Sequence, residues 1–526
     1  FAMPHIPGAW HFADAIDYSL TLNRAFIDYA SRNRATLLFN RWRMGMNQIE
    51  AGRRDNWTVR PRTVEKVENL IREAGGDDAA KIGHTFRRRG AGVSKEYLPM
   101  LRPQENRDPR GFILPADQKD FPTAVKFLNT LIKNGITIHQ ATDPFTVADK
   151  TYPAGSFVVK SAQAFRPHIM DMFEPQDHPD EFLYEGGPPV PPYDSAGYTL
   201  AFQMGVEFDR ILDGFDGPFV KVDGFATPMP GRTRFMVGAS GFLLDHGVND
   251  TVIAVNRLLA DGHAVYWLDE AIEANGERYP AGTIYVPAAP GVEGKVAGMA
   301  TSLGIPVDGL SSRPSAAAYQ LAPVRIGLWD RYGGSMPSGW TRWLFEQFEF
   351  PYERVFPQEL DAGGLDDKFD ALVFVTDAIP AEDVEPTGRN VQPEAGAVPR
   401  EYRDHLGYVT VENTVPQIER YLQEGNTVLT IGTSTILASH LGLPISNHLV
   451  DGAGDPLPTE EFFIPGSVVH ARVDNSHPLA YGLNGRADVS FQRTSPVLRL
   501  RPDADKSGVT QIGWFDDDDA LRSGWA

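Results

Sequence analysis

The stretch that decides the fold is Asn413–Leu441, which reads NTVPQIERYLQEGNTVLTIGTSTILASHL. Its first part predicts a helix over Asn413–Gln423, with an asparagine at the N-cap position and a glycine just past the end. Thr427–Ile431 has the apolar, β-branched content of a buried strand, and Ile436–Leu441 again has a helical pattern. A helix, a buried strand and a second helix in this order are typical of α/β proteins.

The same alternation extends through residues 322–526. Further strands are predicted at Val324–Trp329, Glu353–Phe356 and Ala371–Thr376, and a further helix at Ser338–Phe348. Because β-branched strands alternate here with helices, we predict one parallel sheet that is covered on both faces.

An internal repeat precedes this block. The pattern Asn129, Gly135 and Tyr152-Pro153-Ala154-Gly155 recurs 127 residues later, with identical spacings, as Asn256, Gly262 and Tyr279-Pro280-Ala281-Gly282. Proline presets φ and glycine supplies a positive φ, so we interpret the tetrapeptide as a structural turn rather than a ligand loop. A strand–helix–strand pattern surrounds each copy; in the first copy it predicts a helix at Phe121–Lys133, which Asn134-Gly135 ends, and a second strand at Ile136–His139. We therefore predict two related α/β units, at residues 111–215 and 216–320.

The first 110 residues have a different character. Apolar residues recur at helical spacing from about Trp10 to Glu50, which predicts one or two long helices within residues 1–54. Residues 55–110 are rich in arginine and proline, and we interpret them as a basic connector with one short helix at Thr63–Ala74. The chain thus combines N-terminal helices with three α/β blocks.

Composition excludes several classes of function. The chain has 526 residues and no cysteine, which removes disulfides, thiol nucleophiles, iron–sulfur clusters and cysteine-based zinc sites. Its net charge of −20 is uneven, because residues 1–110 carry +6 and the remainder −26. An acidic body repels a phosphate backbone, so we predict no nucleic-acid partner. No apolar run approaches the roughly 18 residues of a membrane span, so none is predicted.

One turn has the setting of a catalytic nucleophile. The strand before Gly432-Thr433-Ser434-Thr435 leads into a helix, as in a nucleophile elbow, but Ile436 replaces the final glycine of that motif. No sequence feature couples a downstream histidine to an acid; these histidines are His440, His448, His470 and His477. We therefore predict that Ser434 or Thr433 caps the following helix.

Three shorter motifs have some of the residues of a metal-binding or anion-binding site. His178 and Glu181 fit the H-x-x-E spacing of two zinc ligands, but they lie in a proline-rich loop without a convincing third histidine. Asp516–Asp519 lacks the spaced ligands of a calcium loop, and Arg87–Arg89 fits a connector that packs on the acidic body of its own chain. Glycine-rich phosphate-binding motifs do not occur. From the residues alone we assign no catalytic, cofactor-binding or metal-binding residue.

Several longer strings resemble a known family, the large bacterial zinc carboxypeptidase-like proteins (carboxypeptidase A-like metallopeptidases) with a long C-terminal extension. These strings are Trp10–Phe12, Ala15–Ser19, Arg43–Gly45, Phe121–Ala124, Tyr152–Ser156, Ala164–His168, Asp171–Asp177, Pro191–Asp194, Gly339–Trp343 and His477–Gly482. The third block resembles the class I glutamine amidotransferase-like fold that ends some of these proteins. Active members of that fold carry cysteine where Ser434 stands, followed downstream by a His-x-Glu pair that this chain lacks.

The resemblance implies a function for a larger parent protein. Its peptidase domain would hold zinc, would precede this chain as its partner and would act on a peptide or protein substrate. Residues 1–54 would be the last helices of that domain, zinc would be bound in the parent only, and the amidotransferase-like domain would be incomplete at Ala526. The family also implies a periplasmic or secreted location. The alternative is an independent peptide- or glycan-binding module with a degenerate amidotransferase-like domain.

Overall fold

The computed structural model describes residues 10–73, 97–184, 186–388, 391–452, 454–492, 495–515 and 520–525. In chain order, its α-helices are α1 (Phe12–Arg53), α2 (Pro61–Glu73), α3 (Phe121–Lys133), α4 (Arg166–Phe173), α5 (Leu200–Gln203), α6 (Thr251–Ala260), α7 (Val292–Leu303), α8 (Met336–Gln347), α9 (Pro357–Ala362), α10 (Thr414–Gln423) and α11 (Leu437–His440). Its strands are β1 (Gly111–Leu114), β2 (His139–Ala141), β3 (Phe145–Val147), β4 (Lys150–Tyr152), β5 (Phe157–Lys160), β6 (Asp209–Ile211), β7 (Phe219–Lys221), β8 (Thr233–Arg234), β9 (Gly241–Leu244), β10 (Val265–Leu268), β11 (Ile272–Ala274), β12 (Glu277–Tyr279), β13 (Ile284–Pro287), β14 (Val307–Leu310), β15 (Ala318–Leu321), β16 (Ile326–Trp329), β17 (Tyr352–Val355), β18 (Ala371–Phe374), β19 (Thr427–Thr430), β20 (Ile445–Asn447), β21 (Ser467–Val473), β22 (Arg486–Phe491), β23 (Leu498–Leu500), β24 (Gly513–Trp514) and β25 (Leu521–Ser523). The fold is α/β, as the sequence predicts.

The first α/β unit is built on a sheet with the strand order β6-β1-β5-β2-β7, and its neighbouring strands are antiparallel. Helices α3 and α4 cover one face, where the buried rings of Phe112 and Phe173 stack with their centroids 4.2 Å apart. Ile113 and Tyr152 belong to a separate apolar cluster on the other face. The boundary predicted at residue 215 falls between β6 and β7 of this sheet.

The second unit repeats the topology of the first. Strands β14, β9, β13, β10 and β15 take the places of β6, β1, β5, β2 and β7, and β8 adds a parallel strand beside β14. The repeated tetrapeptide makes the same turn in both copies: Gly155 and Gly282 have a φ of +87°. Their amides donate to the carbonyls of Ala141 and Leu268 over 2.8 and 2.7 Å. The repeat therefore includes all five of these strands as well as the matching sequence window.

The third block contains a parallel sheet, as predicted, with the order β17-β16-β18-β19. The buried strand expected at Thr427–Ile431 is wrong, because β19 is an edge strand and leaves Leu429 52% exposed. Its core is formed by the buried strand residues Leu328, Leu372 and Phe374 together with Ile418 and Tyr421 of α10. Beyond α11 the chain adds antiparallel strands that the sequence patterns do not predict; β21 pairs with β22, β24 and β25.

The last described residues connect this block to the first unit. Trp525 is 4% exposed, and its ring stacks on His178 with the centroids 5.2 Å apart. Ser523 accepts a hydrogen bond from the amide of Gln176 and shares one with the hydroxyl of Thr199. The proline-rich loop that the sequence places on the surface is therefore partly covered by the C-terminal strand.

α1 is a single long helix that contacts the remaining described residues near its C-terminal end. The Cα of Gly52 lies so close to the backbone of Ser161 and Ala162 that a β-carbon there would clash, and Gly45 faces Ala164. The connector beyond it is held by Asp108, whose carboxylate pairs with the buried guanidinium of Arg166 at 2.5 Å. No helix among the described residues combines the length and the apolar content that a membrane span requires.

Candidate functional site

A crevice of about 800 Å³ lies at the carboxyl ends of the parallel strands. From β16 the chain proceeds to β17 on one side, whereas β18 and β19 lie on the other side, so the strand order reverses between β16 and β18. Open α/β sheets bind ligands at this point, because the loops that follow the two strands diverge and leave a gap. Arg331–Gly334 form one wall and Asp377–Pro386 contribute to the other.

The loop after β16 is anchored by the buried carboxylate of Asp330. One of its oxygens accepts the amides of Arg331 and Ser335, both at 2.9 Å. The other oxygen faces the guanidinium groups of Arg354 at 3.6 Å and Arg342 at 4.0 Å. Two cations and two amides compensate the desolvation of this charge, so Asp330 holds the wall in place and is not free to bind a ligand.

The environment of Arg354 also affects a neighbouring histidine. The ring of His405 stacks on Phe356 with the centroids 3.8 Å apart. Burial lowers the pKa of His405, and the positive charge of Arg354 lowers it further. His405 therefore contributes a neutral, flat surface beside the crevice at neutral pH.

The charged side chains that line the crevice are mostly acidic. The lining carboxylates are Asp377, Glu382, Asp383 and Glu385, and Arg331 is the cation among the described lining residues. The carboxylate of Asp383 already accepts hydrogen bonds from the amides of Val411 and Glu412, and these bonds connect the two loops of that wall. The remaining carboxylates suit a ligand that carries positive charge.

Asp377 occupies a backbone conformation that is uncommon for a residue other than glycine. Its φ is +66°, a region that aspartate tolerates better than most side chains. The hydroxyl of Thr433 accepts the Asp377 amide at 2.8 Å and donates to the Asp377 carboxylate at 3.1 Å. Because of these two bonds, the turn after β18 is attached to the turn after β19.

Ser434 lies buried beneath the crevice. Its hydroxyl donates to the carbonyl of Val375 and accepts the amides of Ala378 and Ile379 at 3.0 and 3.1 Å. The predicted capping role is wrong, because Ser434 and Thr433 bond to the loop after β18 and not to the helix that follows them. A serine with this arrangement supports the crevice floor; among the described residues, no histidine ring bonds to its hydroxyl.

His178 and Glu181, the H-x-x-E pair, make contacts that support the proline-rich loop. His178 is half-buried against Trp525, and its Nδ1 lies 2.9 Å from the carbonyl of Pro179, so it is less solvated than predicted. The carbonyl of Glu181 accepts the amide of Val190. Within the part of the chain that the structure describes, no three histidine, aspartate or glutamate side chains converge as a metal site would require.

Two of the sequence motifs, Arg87–Arg89 and Asp516–Asp519, lie outside the described residues. Asp330 and Asp377 belong to none of the motifs found in the sequence. A usable signal exists for both, because each comes directly after a predicted strand of one parallel sheet, where ligand sites form.

Comparison with known proteins adds no assignment. No protein-family model matches this sequence, and no curated protein is significantly similar to it.

Proposed function

We propose that this chain is the non-catalytic C-terminal region of a zinc metallocarboxypeptidase-like protein and that α1 is the surface through which it joins the peptidase domain. The family resemblance suggests the parent, and the exposure of α1 supports the contact. Zinc, the catalytic glutamate and hydrolysis of C-terminal peptide bonds then belong to the preceding domain.

The observation that carries this proposal is the apolar face of α1. Large apolar side chains along it are exposed, among them Phe12 (82%), Leu22 (57%) and Phe26 (64%). In the N-terminal half of the helix the charged residues Asp17, Arg24 and Asp28 lie on the side opposite these three. Exposed apolar surface of this extent marks an interaction site, since burying one such side chain yields about 1.5–3 kcal/mol.

The experiment expresses this chain joined to the coding region that precedes it in its gene. We expect stoichiometric zinc by atomic absorption and release of C-terminal amino acids from peptides. The double substitution Leu22→Asp/Phe26→Asp should lower the thermal midpoint of the joined protein and its peptidase activity. The matched pair Thr21→Asp/Ala25→Asp has the same spacing on the charged side and should change neither by much. A joined protein without zinc and without peptidase activity contradicts the proposal.

A second candidate function is an independent binding module for a peptide or a glycan. The acidic crevice at the strand-order reversal favours it, because the crevice has the volume and position of a ligand site. A binding module of this kind would bind its ligand equally well with and without the preceding region.

A further inference from the structure

A cavity of about 620 Å³ lies between the second repeat unit and the third block. The repeat contributes apolar side chains from α6 and the sheet, among them Val255, Leu259 and Ile284. The third block contributes Val324 and the turn that contains Phe350. The cavity is separate from the crevice at the parallel sheet, and its volume is within the range of sites that bind small molecules or short peptides.

The first repeat shows what occupies the corresponding place in its own unit. There the segment that follows β7 passes over α3, and Asn129 binds its backbone on both sides. The side-chain amide of Asn129 donates to the carbonyl of Ala226 at 2.9 Å, and its oxygen accepts the Ala226 amide at 2.8 Å. Ala226 itself is 5% exposed. This unit therefore holds an extended peptide of its own chain through one asparagine.

The second repeat keeps the asparagine but loses the peptide. Asn256 is the equivalent of Asn129 and lines the cavity. After β15 the linker Ala322–Val324 lines the cavity and leads into β16, and within the described residues it makes no hydrogen bond to Asn256 like those that Ala226 makes to Asn129. The amide of Asn256 donates to the carbonyl of Phe348, but no described residue donates to its Oδ1. One of the two hydrogen bonds that the first repeat makes is therefore unmade in the second.

The apolar positions beside this asparagine are also less buried in the second repeat than in the first. Val125 and Leu128 on α3 are 2% and 0% exposed beneath the Ala226 segment. Their equivalents on α6, Val252 and Val255, are only half-buried and line the cavity. The apolar surface and the asparagine oxygen are thus available at the same place. Burial also lowers the pKa of His246, so the histidine at this cavity adds no positive charge at neutral pH.

We propose that this cavity binds an extended peptide segment with a small apolar residue, in the way that the first repeat binds Ala226. The backbone N–H of that residue donates to Asn256 Oδ1, and its side chain packs on Val252 and Val255. The inference goes beyond the proposed function and does not depend on the peptidase domain, because the site is complete within the described part of this chain.

The test uses the occupant of the first repeat as its probe. A fluorescently labelled synthetic peptide VDGFATPMP, the sequence of residues 222–230, is titrated with the chain and followed by fluorescence anisotropy. We expect a Kd in the range of ~10 µM to ~1 mM, because a flexible peptide loses entropy when it is ordered. The same peptide with N-methylalanine in place of alanine lacks the donated N–H and should bind at least about fivefold more weakly.

Two protein variants locate the binding. Val255→Trp fills the cavity and should abolish binding, and Asn256→Ala should weaken it by about fivefold to tenfold. Asn23→Ala is the matched control, because Asn23 is exposed on α1 and distant from the cavity. Unchanged unfolding midpoints show that the variants are folded. No binding at 5 mM peptide overturns the proposal, as does binding that is indifferent to N-methylation or to Val255→Trp. A Leu22→Asp/Phe26→Asp chain should bind the peptide normally, which separates this site from the α1 contact.

Discussion

Substitution of Ser434 by alanine is expected to destabilise the third block, although the turn that contains it has the sequence setting of a catalytic nucleophile. The Ser434 hydroxyl makes one donated and two accepted hydrogen bonds, and the residue has no exposed surface. Ser434→Ala leaves the amides of Ala378 and Ile379 and the carbonyl of Val375 without this partner. The Ala378 amide also donates to the Val375 carbonyl at 3.1 Å, so among the described residues the substitution leaves the Ile379 amide without a hydrogen-bond partner. A buried group left unsatisfied costs about 1–3 kcal/mol, and we expect a loss of that size.

The assay is urea unfolding followed by tryptophan fluorescence, because Trp329 is buried in the same sheet. With an m-value of about 2 kcal/mol per M, the transition of this block should move down by roughly 0.5–1.5 M urea. Ser439→Ala is the control, since Ser439 is exposed on α11 a few residues away. Its midpoint should stay within about 0.3 M of the unsubstituted chain.

A nucleophile predicts the opposite result. Active-site residues are often held at the expense of stability, so Ser434→Ala would leave stability unchanged or increase it if the hydroxyl were catalytic. A midpoint shift of less than 0.5 M urea, by this approximate scale, would refute the structural role that we assign to Ser434.

Three further predictions follow from the contacts described above. Asp108→Ala should cost about 3–5 kcal/mol, because it leaves Arg166 buried without its carboxylate, and a loss below about 1 kcal/mol in urea unfolding would contradict this. Trp525→Ala should cost about 3–5 kcal/mol and make the proline-rich loop more sensitive to chymotrypsin, which can cleave at Phe182, Leu183 or Tyr184; an unchanged digestion rate would argue against the packing on His178. After dialysis against metal-free buffer without a chelator this chain should contain no zinc by atomic absorption, whereas stoichiometric metal would favour His178 and Glu181 as ligands.

Local patterns in the sequence predict the first helix of the first repeat, α3, correctly. α3 begins and ends where the sequence places it, because Asp120 caps its first turn, Pro122 favours that turn and Gly135 ends it with a φ of +84°. The second strand was expected at Ile136–His139 but occurs at His139–Ala141. Its position is determined by pairing with β5 and β7, and a short apolar run does not specify such pairing.

The sites depend on contacts between segments that are distant in the sequence. The spacing of apolar residues along the chain does not predict such contacts. The repeat alone relates Asn129 to Asn256, and this signal was present in the sequence. Whether the place beside Asn256 is filled depends on the direction of the chain after β15. Ser434 was recognised as a polar group in a turn, but its partners at Val375, Ala378 and Ile379 follow another strand of the sheet. Such partners become known only when the strand order is known.

The attachment of the C-terminal strand to the first unit has a consequence for synthesis on the ribosome. Ser523 and Thr199 share a hydrogen bond although 324 positions separate them. At about 5–20 residues per second, the ribosome needs roughly 15–65 seconds to synthesise the residues between them. During this time the surface of the first unit around His178 is uncovered. A nascent chain stalled before residue 520 should therefore be a better chaperone substrate than one stalled after Trp525 has left the ribosome, because Trp525 can then cover the His178 surface.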